Sequence, residues 1–167
     1  MNKRIYLASR SPRRAELLQQ MGIGFDVLPS DIDESILPDE PPETYVMRLA
    51  GSKAAVGLAN MQQANLQQRP ILAADTTVCV DGVILGKPED DDHARAMLKA
   101  LSGRWHEVHT ALALVSAAGI EAVLSTTRVE LAPLSDEMIV AYIASGEPRD
   151  KAGAYGIQGL AGTFIKR

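Results

Sequence analysis

The sequence predicts an α/β fold with a mixed, partly antiparallel sheet. Helical apolar periodicities alternate with strand-like runs, two pairs of those runs form hairpins, and no repeat or long linker divides the 167 residues. Helices interleaved with hairpins argue against a purely parallel, doubly wound sheet. One domain over residues 1–167 is expected, since that length can bury one sizeable core.

The elements follow in order. Ile5 to Ala8 is a short apolar strand running into Ser9-Arg10-Ser11-Pro12. Leu17, Leu18 and Met21 then recur at helical spacing until Gly22 closes the helix. Ser11 is placed to cap it and Pro12 suits its first position. Asp31 to Pro42, rich in acids and prolines, reads as a loop. A helix from about Glu43 to Asn60 follows, carrying Val46, Leu49, Ala50, Lys53 and Leu58, with Gly51 and Gly57 weakening it. Branched apolar residues from Ile71 to Val80, the turn Asp81-Gly82 and Val83-Ile84-Leu85 make a hairpin pairing Val80 with Val83 and Val78 with Leu85.

A third helix spans about Asp92 to Leu101, with Ala94, Met97, Leu98 and Leu101 on one face and Gly103 as its stop. His106, Val108, Thr110, Leu112 and Leu114 alternate, the chain turns at Ala118-Gly119, and Val123, Ser125, Thr127, Val129 and Leu131 alternate again. That is the second hairpin. Ser135 caps a last helix through Ile143, with Asp136 and Glu137 favourably placed in its first turn and Gly146 beyond its end. Lys151 to Gly162 is dominated by glycine and alanine.

Composition narrows the function. With 46% hydrophobic and 23% charged residues the chain has ordinary globular values. No apolar run reaches the length of a bilayer, and the start Met1-Asn2-Lys3-Arg4 is followed by too short an apolar run for a signal peptide, so a cytoplasmic protein without membrane contact is expected. The single Cys79 excludes an internal disulfide and reads as a small buried strand residue. A net charge of −4 argues against a general nucleic-acid surface, so any polyanion site must be a local cluster of cations. That points to a small phosphorylated ligand.

Three constellations carry chemistry. In Ser9-Arg10-Ser11-Pro12-Arg13-Arg14, two arginines occupy the first turn of a helix, where each opposes the dipole at a cost of about 0.3–1 kcal/mol. A phosphate bound at the free amides reverses that cost and the guanidinium forks add bidentate contacts. The alternative is two solvated arginines paired with Glu16 or Asp31. In Ala73-Ala74-Asp75-Thr76-Thr77 a carboxylate sits within an apolar strand, where it must be paired or bind a metal. Hairpin register sets Thr76 opposite Lys87 and brings Asp75 within one residue step of that lysine, so a structural ion pair is the competing reading. In Asp150-Lys151-Ala152-Gly153-Ala154-Tyr155-Gly156-Ile157-Gln158-Gly159, small residues permit close approach to a ligand, while Asp150, Lys151 and Gln158 supply a carboxylate, a cation and an amide. A flexible strand connection explains the same composition.

Other patterns carry less. Gly82-Val83-Ile84-Leu85-Gly86-Lys87 has three residues between its glycines, lacks the following Ser or Thr, and leaves a hairpin, so it is not a Walker phosphate loop. His106 and His109, three apart on a strand, project to opposite faces and read as structural. Glu89-Asp90-Asp91-Asp92 reads as the solvated start of the third helix.

Ser9-Arg10-Ser11-Pro12-Arg13-Arg14, Ala74-Asp75-Thr76, Gly86-Lys87-Pro88, Leu101-Ser102-Gly103 and Asp150 to Gly159, in this order, resemble the Maf family of nucleotide pyrophosphatases over nearly the whole chain. The resemblance implies a two-lobed α/β fold with an elongated sheet and a cleft, and metal-dependent cleavage between the α and β phosphates of a nucleoside triphosphate. By motif, Ser9, Arg13, Arg14, Lys53 and Lys87 bind the phosphates, Asp75 accepts the proton of the attacking water, and Glu34 with Asp75 holds Mg²⁺ or Mn²⁺. Arg13, Thr76 and Gln158 match the positions associated with substrate choice. Asp75-Thr76 with Gly156-Ile157-Gln158-Gly159 resembles the branch acting on dTTP and UTP. Family members continue after the equivalent of Phe164-Ile165-Lys166-Arg167 with a strand and a helix, which this sequence does not contain.

The family is associated with arrest of cell division and with clearing modified nucleotides, and a homodimer stays open. The rival reading from another class is a non-catalytic nucleotide-binding regulator of septum formation. A phosphoryl-transferring kinase is disfavoured by the missing phosphate loop.

Overall fold

The computed structural model describes residues 4–167. The polar start from Met1 to Lys3 lies outside them. A mixed six-stranded sheet runs in the order β2-β1-β3-β5-β6, with β4 on β3. β1 (Ile5–Leu7) lies parallel to β2 (Phe25–Val27), Ile5 opposite Phe25, and parallel to β3 (Ile71–Val80), Leu7 opposite Leu72. β4 (Val83–Leu85) returns antiparallel to β3 in the expected register, Val80 opposite Val83 and Val78 opposite Leu85. Its turn residues Asp81 and Gly82 have φ of 52° and 77°, the doubly left-handed geometry that favours an Asp-Gly pair. β5 (Trp105–Ser116) and β6 (Gly119–Glu130) form the second hairpin, and β6 is exposed from Gly119 to Arg128.

The chain forms two compact units, one of Met1–Asp75 with Thr110–Leu124, the other of Thr76–His109 with Ser125–Arg167. In the first, helix α2 (Pro42–Gln63) packs Val46, Ala50 and Ala54 against Tyr6, Ile71, Ala73 and Ala111. The small residues let helix and sheet approach closely. Gly57 marks the nearest point: a Cβ there would lie 3.1 Å from Ile71 Cγ2 and 3.3 Å from Ala8 Cβ, whereas Gly51 faces open space. In the second, helices α3 (Asp91–Leu101) and α4 (Asp136–Ala144) bury Met97, Leu98, Leu101, Ile139 and Tyr142 against Val78 and Leu131. Asp90 Oδ1 caps α3 through the His93 amide at 2.7 Å, and Ser135 Oγ caps α4 through the Met138 amide. Cys79 is buried. Among the described residues no helix is long and apolar enough to cross a membrane.

Several local expectations are corrected. Helix α1 (Pro12–Gln20) buries Leu18 but leaves Leu17 and Met21, the residue just past its end, exposed, because both are turned to the same side of Leu18, by about 100° and about 60°, and the helix is only nine residues long. Ser11 makes no side-chain cap; its amide instead donates to Ser9 Oγ at 3.2 Å. β2, too short for a period to be read, is fixed by parallel pairing and by Arg4, which donates to Phe25 O and Asp26. The second turn falls at residues 117–118, with Gly119 at φ 120° already opening β6. The tail is no featureless connection. It forms 3-10 turns at Ala152–Ala154 and Leu160–Phe164 before Ile165 bridges Leu131.

Candidate active site

In the first unit, Ser9 leaves the carboxyl end of β1 just as Asp75 is reached on the neighbouring parallel strand, since Leu7 lies opposite Leu72. Open α/β sheets place ligands at such strand ends. Lys53, on α2, donates from Nζ to Asp75 Oδ1 at 2.6 Å and lies 2.7 Å from Glu34 Oε1 in the loop before that helix. Lysine and aspartate side chains are 12% and 10% exposed, and the glutamate 39%. Two carboxylates thus converge on one positive charge. Asp75 is ion-paired with Lys53.

Arg14 reaches back from the first turn of α1, donating from Nη1 to Ser9 Oγ at 3.0 Å, so one hydroxyl receives both this guanidinium and the Ser11 amide. The salt bridge from this hexapeptide to Asp31 comes from Arg10, at 2.9 Å across the surface. Arg13 adds like charge beside Arg14. Burial lowers the pKa of Arg14, with Asp75 opposing that effect and Arg13 reinforcing it. Burial also pushes Asp75 above the ordinary carboxylate range, outweighing the pull of Lys53 and Arg14, and Glu34 pushes the same way. A carboxylate raised in this manner accepts a proton more readily than an ordinary one, and the cations beside it can neutralise an oxyanion.

The second unit brings two further motifs together. The Gly153 amide donates to Gly86 O at 3.0 Å, linking the segment before Lys87 to the glycine-rich run. Gly153 adopts φ 66°, and a Cβ there would sit 2.9 Å from the Val78 side chain. Lys87 and Gln158 are exposed and Thr76 is half-buried. Glu147, which no sequence pattern singles out, anchors the run: its carboxylate accepts from the Leu160 amide at 2.8 Å, the Ala161 amide at 3.2 Å and the Tyr142 hydroxyl at 3.1 Å. A Cβ on Gly159 would fall 2.3 Å from Glu147 Oε1. Lys151 Nζ donates to the Glu147 carbonyl.

The histidines have separate partners. His106 Nε2 lies 2.6 Å from Tyr155 Oη and His109 Nδ1 lies 2.9 Å from Thr126 Oγ1, both within the second unit. Burial lowers the pKa of His106, keeping its ring neutral.

Residues 4–167 match the family described as Maf-like protein. The chain is 63% identical over 164 residues to the dTTP/UTP pyrophosphatase of Methylobacillus flagellatus, spanning 98% of this chain and 81% of that protein. It is 51% identical over 169 residues to the dTTP/UTP pyrophosphatase of Nitrosomonas europaea, spanning 96% and 82%. The dTTP/UTP pyrophosphatase of Chromobacterium violaceum is 52% identical over 163 residues, spanning 98% and 82%.

Proposed function

This chain belongs to the Maf family, and from that premise we propose that it hydrolyses dTTP and UTP to the monophosphate and pyrophosphate. The observation that carries the reading is the buried Asp75, raised in pKa yet bonded to Lys53 and flanked by Arg14. Relatives at half to nearly two-thirds identity that bear this activity in their names support hydrolysis over nucleotide binding alone.

Asp75 takes the proton of a water that attacks the α-phosphorus. The bond from that phosphorus to the bridging oxygen breaks, and pyrophosphate leaves with the electron pair. Ser9, Arg13, Arg14, Lys53 and Lys87 bind and neutralise the phosphates; a bound triphosphate offers Lys53 anionic oxygens that compete with its two carboxylates. Arg13, Thr76 and Gln158 select the base. The amide of Gln158 both donates and accepts, as the carbonyl and imide edge shared by uracil and thymine requires. Glu34 and Asp75 offer hard oxygen donors converging on one point, a set that suits Mg²⁺ or Mn²⁺, and an ion held there supplies charge neutralisation. The reading extends to one functional domain over residues 1–167 in the cytoplasm.

A panel of dTTP, UTP, CTP, dATP and GTP with Mg²⁺ and with Mn²⁺, analysed for monophosphate and pyrophosphate, tests this. dTTP and UTP should exceed the purine nucleotides by about tenfold or more in kcat/KM, the penalty for one unmatched buried polar group. Equal rates on purines remove the base assignment, and absence of pyrophosphate removes the hydrolase. Light scattering on the same sample decides between monomer and homodimer.

A further inference from the structure

The loop that carries Glu34 has neither helix nor strand between Val27 and Pro42, so its backbone groups must find partners elsewhere. The first turns of α2 supply them. The Tyr45 hydroxyl donates to the carbonyl of Glu34 itself at 2.9 Å, and Arg48 Nη2 donates to the carbonyl of Ser35 at 2.9 Å. Three residues apart on a helix, these side chains share a face, and the Arg48 guanidinium lies 5.6 Å over the Tyr45 ring.

Arg48 is in turn held by Glu40, Nε on Oε1 at 2.6 Å and Nη2 on Oε2 at 2.7 Å. The Glu40 side chain is only 4% exposed, and its Oε2 also accepts the Leu37 amide at 3.1 Å. Helix and loop are thereby fastened at both ends of the stretch from Glu34 to Glu40.

We propose that Tyr45 and the Arg48–Glu40 fork are positioning residues, which hold the Glu34 carboxylate on Lys53, opposite Asp75. The clamp rests on the reading of Glu34 as a carboxylate of the phosphate site. A loop without regular structure would otherwise let a half-exposed glutamate swing away, and orientation of such a group is worth more than its mere presence.

The test is a double-mutant cycle. Tyr45→Phe and Arg48→Lys are each made in the native chain and in Glu34→Gln, and kcat and KM for dTTP are measured, with thermal unfolding followed in parallel. Tyr45→Phe removes only one hydrogen bond and keeps the ring, so it reports even where Arg48→Lys fails to fold. Each folded variant should lose about fivefold in kcat/KM in the native background, the size of one hydrogen bond, and lose nothing further once Glu34 is Gln. Equal losses in both backgrounds, or none in the native one, overturn the clamp. Should the native chain release no pyrophosphate from any nucleotide, the functional reading fails separately, and Mn²⁺ affinity measured without nucleotide decides the clamp. Weaker Mn²⁺ binding in Tyr45→Phe that vanishes in the Glu34→Gln background sustains it; equal affinities overturn it.

Discussion

The charged cluster around Lys53 and the glycine-rich run after Asp150 each centre on a carboxylate, and the two are pushed in opposite directions. Asp75 has one strong cationic partner in a largely water-free setting, and burial wins, so its pKa rises. Burial acts upward on Glu147 too, but the amides of Leu160 and Ala161, with the Tyr142 hydroxyl, outweigh it and its pKa falls. Fixed backbone dipoles stabilise the anion at close range. The first arrangement keeps a proton within reach of exchange; the second favours the anion and ties a chain segment to it. One carboxylate is suited to chemistry and the other to architecture.

The largest effect that can break this comparison is at Asp75. Asp75→Asn keeps the shape, removes the proposed proton acceptor, and should reduce kcat by about 10²–10⁴-fold in a protein that still folds. As the proposed proton acceptor Asp75 would act deprotonated, and since its folded pKa lies above the ordinary 3.8, the acid limb of kcat/KM should fall above that value. Lys53→Met removes the strongest downward pull on Asp75 and should move the limb to still higher pH. An unmoved limb would mean that Asp75 is not the group titrating there.

At Glu147 the effect should be on stability instead. Glu147→Gln replaces one acceptor oxygen by an NH₂ aimed at a backbone amide, and one donor in the run loses its partner, at about 1–3 kcal/mol. In a chain of this length that lowers Tm by about 2–4 °C per kcal/mol. The sign with pH follows from the depressed folded pKa: the stabilisation is complete above the unfolded value near 4.5 and is lost as pH falls through the lower folded value. The difference in Tm between native and Glu147→Gln chains should therefore shrink in acid. A constant difference would assign the loss to packing rather than charge.

The two regions also differ in how much of them the sequence discloses. Arg13 and Arg14 at a helix start and Asp75 in an apolar strand are anomalies of residue type, visible because each violates a local preference. The long helices, both hairpins and the register at Val80 and Val83 are equally legible, since period and turn chemistry set them. Lys53 as the partner of Asp75 is not, because 22 residues separate them and only the packing of α2 on β3 brings them together. Glu147 gives no signal at all: nothing distinguishes a glutamate after a helix end from a solvated one, until the backbone beyond it folds back with Gly159 bare enough to admit its carboxylate. Leu17 and Met21 mislead for the opposite reason, since apolar spacing says that a helix exists and not which side faces the core.

The smallest effects sharpen the account of Lys53, through two glycines of α2 that the sequence treats alike. In a helix interior Gly→Ala gains about 0.5–1 kcal/mol where the new methyl meets nothing. At Gly51 an added methyl would meet nothing within 4 Å beyond the backbone of its own helix, so Gly51→Ala should raise Tm by about 2–4 °C at most and leave catalysis alone. At Gly57 the methyl would meet Ile71 Cγ2 and Ser30 Oγ at 3.1 Å, and Ile71 is fully buried and cannot give way. The helix must then lift from the sheet by a few tenths of an ångström, and Lys53, one turn earlier, lifts with it from Asp75. Gly57→Ala should therefore lose the helical gain, lower Tm relative to Gly51→Ala, and shift the acid limb of kcat/KM upward in the same direction as Lys53→Met, by less. Should both variants gain stability equally with the limb unmoved, the approach of α2 to the sheet would not be what sets the Lys53–Asp75 contact, and the electrostatics of Asp75 would have to rest on its burial in the strand alone.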